Sequence, residues 1–168
     1  MKIYLTTDTH FGHKKLIEFG RPENFEEVIF NHLKELPDDC LLIHLGDVGL
    51  GGDGEVHDKY IKPLKMRKIL VRGNHDRKSD SWYLEHGWDF VCERFENTYF
   101  GKKIMFSHIP VRDNNFYDLN IHGHFHNSEH HTQEAYILAV MNNKHKLLAL
   151  EHTYYKPVNL EKFITLDK

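Results

Sequence analysis

Polar side chains that could bind metal ions follow five apolar runs of the sequence, at the point where each run ends. They occur in the motifs DTH, GD, GNHD, SH and GHFH. The residues concerned are Asp8, His10, Asp47, Asn74, His75, Asp76, His108, His124 and His126. Carboxylate, amide and imidazole groups without thiolates form a ligand set suited to manganese, iron, zinc, cobalt or nickel. The motifs therefore favour a site for divalent transition-metal ions.

Each motif taken alone has an ordinary structural explanation. DTH is more often a turn than a ligand pair, GD carries almost no information, and GNHD could be a turn with Asn74 in a left-handed conformation. His108 alone would more often be a packed or surface histidine. GHFH is more informative, because an H-x-H pair at a strand end points both rings the same way. The conjunction of five motifs at five predicted strand ends is what favours a site.

The elements that position these motifs alternate in the first half of the chain. Apolar periodicity predicts strands over 2–7, 41–45 and 68–72 and helices over 24–36 and 55–65. This alternation indicates an α/β sandwich. Ligands of α/β proteins bind beyond the carboxyl ends of the strands, so we expect the motifs to converge on one crevice.

The second half of the chain predicts mainly strands. Short β runs lie within 89–94, 97–108 and 118–124, the middle one with Gly101 and Lys102 as a hairpin turn. Residues 146–158 read as a final strand stopped by a proline. We therefore expect a mixed sheet system in which two sheets pack face to face with helices outside.

Composition limits the class of protein. With 168 residues, 40% of them hydrophobic, the chain suits one domain over residues 1–168. A net charge of -3 offers no basic excess for a long nucleic-acid backbone, so any nucleic-acid contact should be local and short. Cys40 and Cys92 lack the context of a disulfide framework or thiolate cage, which favours a reducing cytoplasm.

Membrane association and export are not expected. No run approaches the ~20 apolar residues that cross a bilayer, and the N-terminus lacks the apolar core of a signal peptide.

Two smaller expectations concern single positions. Asn24 and Glu27 could cap the predicted helix over 24–36. His130 and His131 are expected to be solvated loop residues.

The order of the motifs resembles the signature of the calcineurin-like metallophosphoesterase superfamily, which runs D-x-H, G-D, G-N-H-D/E, H, G-H-x-H. All five blocks are present between Asp8 and His126, and no ligand position is substituted. The DTHFGH opening and the late LEHTYYKPVNL look like a small, compact subfamily of bacteria and their phages. The resemblance implies a two-sheet β sandwich flanked by helices, which agrees with the pattern of elements.

This resemblance also implies two divalent ions per chain, with manganese expected and iron, zinc, nickel or cobalt as alternatives. One ion would take Asp8, His10, Asp47 and His126. The other would take Asp47, Asn74, His108 and His124. Asp47 would then bridge the two ions, which explains why a single GD motif serves both.

The implied reaction is phosphodiester hydrolysis, extending to phosphomonoesters, by attack of a hydroxide that bridges the metals. His75 would act as general acid toward the leaving oxygen. Asp76 would orient either His75 or the loop, since a carboxylate behind an imidazole fixes its tautomer. Arg77 would either steady a phosphate oxygen or be an exposed loop arginine. Arg21 has the same two alternatives, His13 is either close to the substrate or incidental, and His122 is expected to be structural.

Several substrates and two other functions remain open. Cyclic nucleotides, short nucleic-acid ends and phosphomonoesters all suit an open site, and no membrane or obligate protein partner is evident. The protein could instead be a nuclease or phosphatase that processes nucleic-acid ends. It could also be a non-catalytic binding module, like a retromer subunit that resembles this superfamily but has a degraded site. The complete ligand set and His75 argue against a module. If the protein is phage-encoded, it would act in the host cytoplasm.

Overall fold

The computed structural model describes residues 1–112, 116–127 and 141–165. Within this part of the chain, nine strands form two mixed sheets. The expected solvated positions of His130 and His131 lie outside the described residues.

The first sheet has five strands in the order β4-β3-β2-β1-β9. Strands β1 to β4 run parallel to their neighbours, and β9 is antiparallel to β1. Their bounds are Ile3–Thr6 (β1), Leu41–His44 (β2), Arg67–Val71 (β3), Phe90–Cys92 (β4) and Val158–Asn159 (β9). The three strands predicted in the first half of the chain are therefore confirmed.

The second sheet has four strands in the order β5-β6-β7-β8. The bounds of these strands are Arg94–Tyr99 (β5), Lys102–Ser107 (β6), Leu119–His122 (β7) and His145–Leu147 (β8). Strands β5 and β6 form an antiparallel hairpin, whereas β6, β7 and β8 are parallel. The sheet is therefore mixed, as the sequence predicts.

The helices are short, and none in the described part of the chain is long and apolar enough to cross a bilayer. They are α1 (Phe25–Lys34), α2 (Asp53–Val56), α3 (Asp80–Glu85) and α4 (Leu160–Thr165). Helix α2 continues as a π-helical turn over His57–Ile61, so the helix predicted over 55–65 begins and ends earlier than expected. Asn24 precedes α1 without a side-chain capping bond, so the predicted cap is wrong.

Alternate residues of the first sheet face two different apolar cores. Leu5 of β1 and Ile43 of β2 belong to a buried cluster with Phe106 of the second sheet. Leu42, which points the opposite way, packs in a cluster with Ile29 of α1. Successive side chains of a strand point to opposite faces, so one face of the first sheet packs against the second sheet and the other face packs against α1. This confirms the predicted α/β architecture of two facing sheets with helices outside.

The predicted hairpin is present, but its turn begins one residue earlier than expected. Tyr99 pairs with Lys102, so the turn residues are Phe100 and Gly101. Their φ angles of 53° and 73° are those that a type I′ turn requires at both central positions. Lys102 belongs to β6, and its assignment to the turn is wrong.

The prediction of one strand over 146–158 is also wrong. Strand β8 ends at Leu147 and a 3-10 turn follows over Leu150–Thr153. Tyr154 and Tyr155 then adopt left-handed φ angles of 54° and 60°, which redirect the chain toward β9 and the first sheet. Pro157 comes just before β9 and stops no strand.

Candidate metal centre

The predicted site residues lie at the carboxyl ends of strands from both sheets. Strands β1, β2 and β3 of the first sheet and β6 and β7 of the second end at one common crevice, as the parallel arrangement predicts. The residues that follow these strand ends are Asp8, His10, Asp47, Asn74, His75, His108, His124 and His126. The structure gathers the candidate ligands among them into two groups.

The first group consists of Asp8, His10 and His126, whose ligand atoms all lie within 4.8 Å of one another. Asp8 Oδ1 is 3.8 Å from His10 Nε2 and 3.6 Å from His126 Nε2, and the two ring nitrogens are 3.2 Å apart. Asp8 Oδ1 is buried without a hydrogen-bond partner in the described part of the chain. An unpartnered buried carboxylate oxygen beside two imidazole nitrogens fits a divalent cation.

The second group consists of Asp47, His108 and His124, again within 4.8 Å. His108 Nε2 is 3.3 Å from Asp47 Oδ2 and 3.2 Å from His124 Nδ1. Asn74 Oδ1 approaches the same nitrogen at 3.0 Å. The amide oxygen that the GNHD motif supplies is therefore part of this group.

Asp47 reaches both groups. Its Oδ2 lies 3.7 Å from His10 Nε2 of the first group and 3.3 Å from His108 Nε2 of the second. Its Oδ1 accepts a hydrogen bond from the backbone N–H of His75 at 2.9 Å, which fixes the carboxylate. This geometry supports the predicted bridging role.

The backbone of these ligands is unusual. Of the eight non-glycine residues with positive φ in the described part of the chain, five are predicted ligands. A left-handed conformation costs an L-residue roughly 1–2 kcal/mol, and such residues concentrate at functional sites. The five, with φ between 47° and 75°, are Asp8, His10, Asp47, His124 and His126. The strand-end turns thus hold the ligands in costly conformations that aim them at one another.

Two motif glycines are explained by close approach. A β-carbon on Gly73, the first residue of GNHD, would overlap the Asp47 carboxylate. One on Gly123, the first residue of GHFH, would overlap the Thr7 hydroxyl and lie 2.5 Å from Asp8 Oδ2. Only glycine allows the backbone at these two positions to approach the carboxylates so closely.

Hydrogen bonds from the far ring nitrogens orient two of the histidines. His108 Nδ1–H donates to the Leu45 carbonyl at 2.7 Å, which leaves Nε2 facing the second group. His126 Nδ1–H donates to Glu151 Oε1 at 3.1 Å, which leaves Nε2 facing the first group. Metal-binding histidines commonly have such a partner on the second nitrogen.

Charges in the crevice balance one another. Burial opposes protonation of His108, but the hydrogen bond that its ring N–H donates to Asp47 and the charge of Asp8 raise its pKa to about 9. Burial likewise opposes ionisation of Asp47, yet His108 and His10 hold its pKa well below the usual range. Asp47 is therefore an ionised carboxylate, which is the form that binds a metal ion.

Arg21 and Glu151 form a buried pair behind the first group. Arg21 Nη2 donates to Glu151 Oε1 at 2.8 Å, and the two side chains are 3% and 9% exposed. Arg21 also donates to the backbone carbonyls of Asp8 at 2.8 Å and Thr9 at 3.0 Å. The alternative of an exposed loop arginine is wrong, because Arg21 holds the turn that carries Asp8. No sequence motif points to Glu151, which lies in the segment expected to be a strand.

Two of the residues proposed for catalysis, His75 and Asp76, differ in their exposure to solvent and in their contacts. The ring of His75 is about one-third exposed, and its Nε2 lies 3.9 Å from Asp47 Oδ2. Asp76 is buried and accepts hydrogen bonds from the backbone amides of Asp47, Val48 and Gly73 at 2.7, 3.1 and 2.8 Å. Of its two predicted roles, the contacts favour orientation of the loops. Burial and the charge of Asp47 raise the pKa of Asp76 to about 6.

The remaining residues singled out in the sequence lie around the crevice. Arg77 is exposed and its Nε donates to the Asn74 carbonyl at 3.3 Å. The His13 ring lies 5.8 Å from the His10 ring, at the edge of the site. His122 is buried, donates through Nδ1–H to the Gly123 carbonyl at 3.0 Å and belongs to neither ligand group. This position is consistent with the structural role expected for His122.

The fold and the two ligand groups define a class of α/β sandwich proteins with candidate metal sites at the junction of two sheets. The chain matches the family model of calcineurin-like phosphoesterases over residues 1–162 and belongs to this family. An uncharacterised protein of Methanocaldococcus jannaschii is 30% identical over 174 positions, which cover 98% of this chain and 90% of that protein. A protein of unknown function from Aquifex aeolicus has a similar solved structure, with a TM-score of 0.73 and 26% identity over 98% of both chains.

Proposed function

We propose that the protein is a dinuclear metal-dependent phosphodiesterase that also accepts phosphomonoesters, with manganese as its preferred ion. The observation that carries this proposal is the position of Asp47 Oδ2, 3.7 Å from a nitrogen of one ligand group and 3.3 Å from a nitrogen of the other. A carboxylate shared by two groups is the arrangement by which one chain holds two ions close together. The ions would be held by Asp8, His10, Asp47, Asn74, His108, His124 and His126.

A bound pair of divalent ions supplies an activated water and a positive clamp for phosphoryl oxygens. His75 supplies the proton for the leaving oxygen, because its one-third exposed ring stands beside Asp47 at the mouth of the crevice. A positioned general acid contributes ~10²–10⁴ fold. Asp76 keeps the loops of Asp47 and Gly73 together, and Arg77 on the rim steadies a phosphate oxygen.

The test is metal content and metal-dependent turnover of the purified protein. Saturation with Mn²⁺ followed by removal of free ion should leave two equivalents per chain, and the protein should hydrolyse bis-p-nitrophenyl phosphate. EDTA should abolish the activity and added Mn²⁺ should restore it. One equivalent or none, or activity indifferent to EDTA, contradicts the proposal. Metal binding without any hydrolysis of diester or p-nitrophenyl phosphate favours the non-catalytic module.

Three further points are proposals with narrower support. Ile3 and Ile164 share one apolar core, which supports a single domain. The DTHFGH opening supports the small bacterial and phage-type subfamily. Cys40 and Cys92 are both free thiols, which supports action in a reducing cytoplasm.

A further inference from the structure

A cavity of about 820 Å³ adjoins the second ligand group. Asn74 and His108 form part of its wall, whereas Asp8, His10 and His126 of the first group do not. The cavity therefore extends from one side of the candidate metal centre, where a substrate continuing beyond the scissile phosphate would lie.

Arginine dominates the charge of this cavity. Arg72, Arg94 and Arg112 line it together with two carboxylates, the exposed Glu93 and the buried Asp76, whose oxygens accept from three backbone amides. Glu93 lies 3.3 Å from Arg72, which also contacts Asp80. Arg94 and Arg112 are exposed and have no ion-pair partner among the described residues. Arginines that have no ion-pair partner in the described part of the chain, beside a crevice and in a chain of net charge -3, indicate local attraction for an anion.

Two of the three arginines have fixed positions relative to the ligands. Arg94 pairs with Ser107, the residue immediately before His108. Arg72 directly precedes the Gly73-Asn74 turn. The cavity is thus attached to the same strand ends that position the second ligand group.

The chemistry of the lining identifies the ligand class. Guanidinium groups match phosphate in shape and charge and bind it through paired hydrogen bonds. The cavity wall between His108 and Arg112 consists of Ile109, Pro110 and Val111, which offer apolar contact for a sugar or base. A nucleotide combines an anionic phosphate with such a less polar group, so the lining suits a nucleotide.

We propose that Arg94 and Arg112 bind a second phosphate of the substrate, so that the preferred diesters are short oligonucleotide ends and not diesters with a single phosphate. This inference rests on the proposed function, since the metal centre must bind the scissile phosphate. It differs from a strand-coating role, because one cavity holds only one or two nucleotides.

The test compares thymidine dinucleotides that differ only in terminal phosphates. One carries no terminal phosphate, and the other carries one at each end, which covers both chain directions. A phosphorothioate linkage slows their hydrolysis, so that dissociation constants can be measured by calorimetry with the Mn²⁺-supplied protein. We expect the phosphorylated compound to bind about tenfold more tightly, as charge-assisted hydrogen bonds to phosphate permit. Equal affinities overturn the inference.

Variants test whether Arg94 and Arg112 cause the tighter binding of the phosphorylated dinucleotide. In Arg94→Gln/Arg112→Gln the preference should fall to about twofold or less, while affinity for the unphosphorylated dinucleotide stays unchanged. Arg67→Gln removes an exposed arginine at the opposite end of β3 and should keep the full preference. A double variant that retains the tenfold preference contradicts the inference. If the double variant does not fold, the single variants carry the same test, and each should lose part of the preference.

Turnover of bis-p-nitrophenyl phosphate separates the inference from the proposed function. The arginine variants should hydrolyse this diester at the wild-type rate, because it has no second phosphate. If the wild-type protein fails to hydrolyse it, the proposed function fails, and the dinucleotide affinities still report on the cavity. If the arginine variants lose this activity, the arginines serve the scissile phosphate and the inference is wrong.

Discussion

Asp47 is the residue through which the two ligand groups meet, so its substitution should affect both. Asp47→Asn keeps the shape but removes the charge shared by His10 and His108. We expect both metal equivalents to be lost together and turnover with them. Asp8→Asn should mainly weaken the first group, because Asp8 Oδ1 contacts His10 and His126 there. Metal analysis after equilibrium dialysis measures both results.

The control for these variants is Asp39→Asn, which changes an exposed carboxylate away from the crevice. It should retain two equivalents. An Asp47→Asn protein that loses one equivalent and keeps most of its activity would show that the bridging assignment is wrong.

His75 differs from the ligands in lying partly in solvent, so His75→Asn should leave metal content nearly unchanged while turnover falls. An alkoxide or ribose oxygen leaves poorly without a proton, whereas p-nitrophenolate is stable near neutral pH. The loss should therefore be larger on a nucleoside diester than on bis-p-nitrophenyl phosphate. The ratio of the losses converts to transition-state free energy at ~1.4 kcal/mol per tenfold.

His152→Asn, which changes an exposed histidine, is the matched control and should have wild-type kinetics. Equal losses on both substrates would instead assign His75 to binding of the phosphate. Loss of a metal equivalent would place His75 among the ligands.

Glu151 connects a metal-binding histidine to a buried arginine, and Glu151→Gln should weaken both. The guanidinium of Arg21 would be left buried without its charge partner, at a cost of about 3 kcal/mol in the free energy of unfolding. Replacing the carboxylate that accepts from His126 by a neutral amide should weaken metal affinity ~10–100 fold. Urea denaturation and metal titration measure the two effects. Glu35→Gln, at an exposed position, should change neither, and an unaffected metal affinity in Glu151→Gln would exclude the orienting role.

At the scale of elements, Asp76 fastens the loop after β2 to the loop after β3. Asp76→Asn replaces an acceptor by a donor among the three backbone amides it serves, and one or more of these must lose its partner. We expect a loss of about 1–3 kcal/mol in unfolding free energy and weaker binding of both metals. Thermal melting and metal titration check this prediction.

Asp89 provides a close control for Asp76. Its Oδ2 accepts a hydrogen bond from the backbone amide of Lys68 at the other end of β3, at 2.7 Å. Asp89→Asn should lower stability without changing metal affinity. If Asp76→Asn lowers only turnover and keeps both metals, Asp76 acts on His75 and not on the loops.

The same elements show what sequence patterns can predict. Strands β1, β2 and β3 have continuous apolar runs, so their ends and the polar residues beyond them are readable. Helix α3 has only six residues, too few for apolar positions to recur at helical spacing. Its N-terminus is nevertheless capped, because Ser79 Oγ accepts a hydrogen bond from the Trp82 amide. The left-handed φ angles of Tyr154 and Tyr155 depend on tertiary packing, because tyrosine has no local preference for them. Neither Glu151 nor the turn that positions it can therefore be predicted from the sequence pattern.

At the scale of the whole molecule, bound metal should stabilise the fold, because the ligands come from both sheets. An ion at a hundred times its dissociation constant adds ~2.7 kcal/mol. For a chain of this size that corresponds to an increase of about 5–10 °C in Tm for each site. Thermal melting with Mn²⁺ and with EDTA measures the difference. Asp47→Asn should show little increase, and a wild-type Tm indifferent to Mn²⁺ would contradict metal binding by the folded state.

Because the ligands lie on loops of both sheets, the metal site can form only at a late stage of folding. His10 and His126 are separated by 116 positions, and they meet only after β1 and β7 have been placed in their own sheets and the sheets have docked. Bringing such distant residues together carries a large loop-closure entropy, so the unfolded chain contains no preformed site. Metal ions therefore arrive late and cannot nucleate the fold. Their effect should appear as slower unfolding, with the refolding rate nearly independent of Mn²⁺.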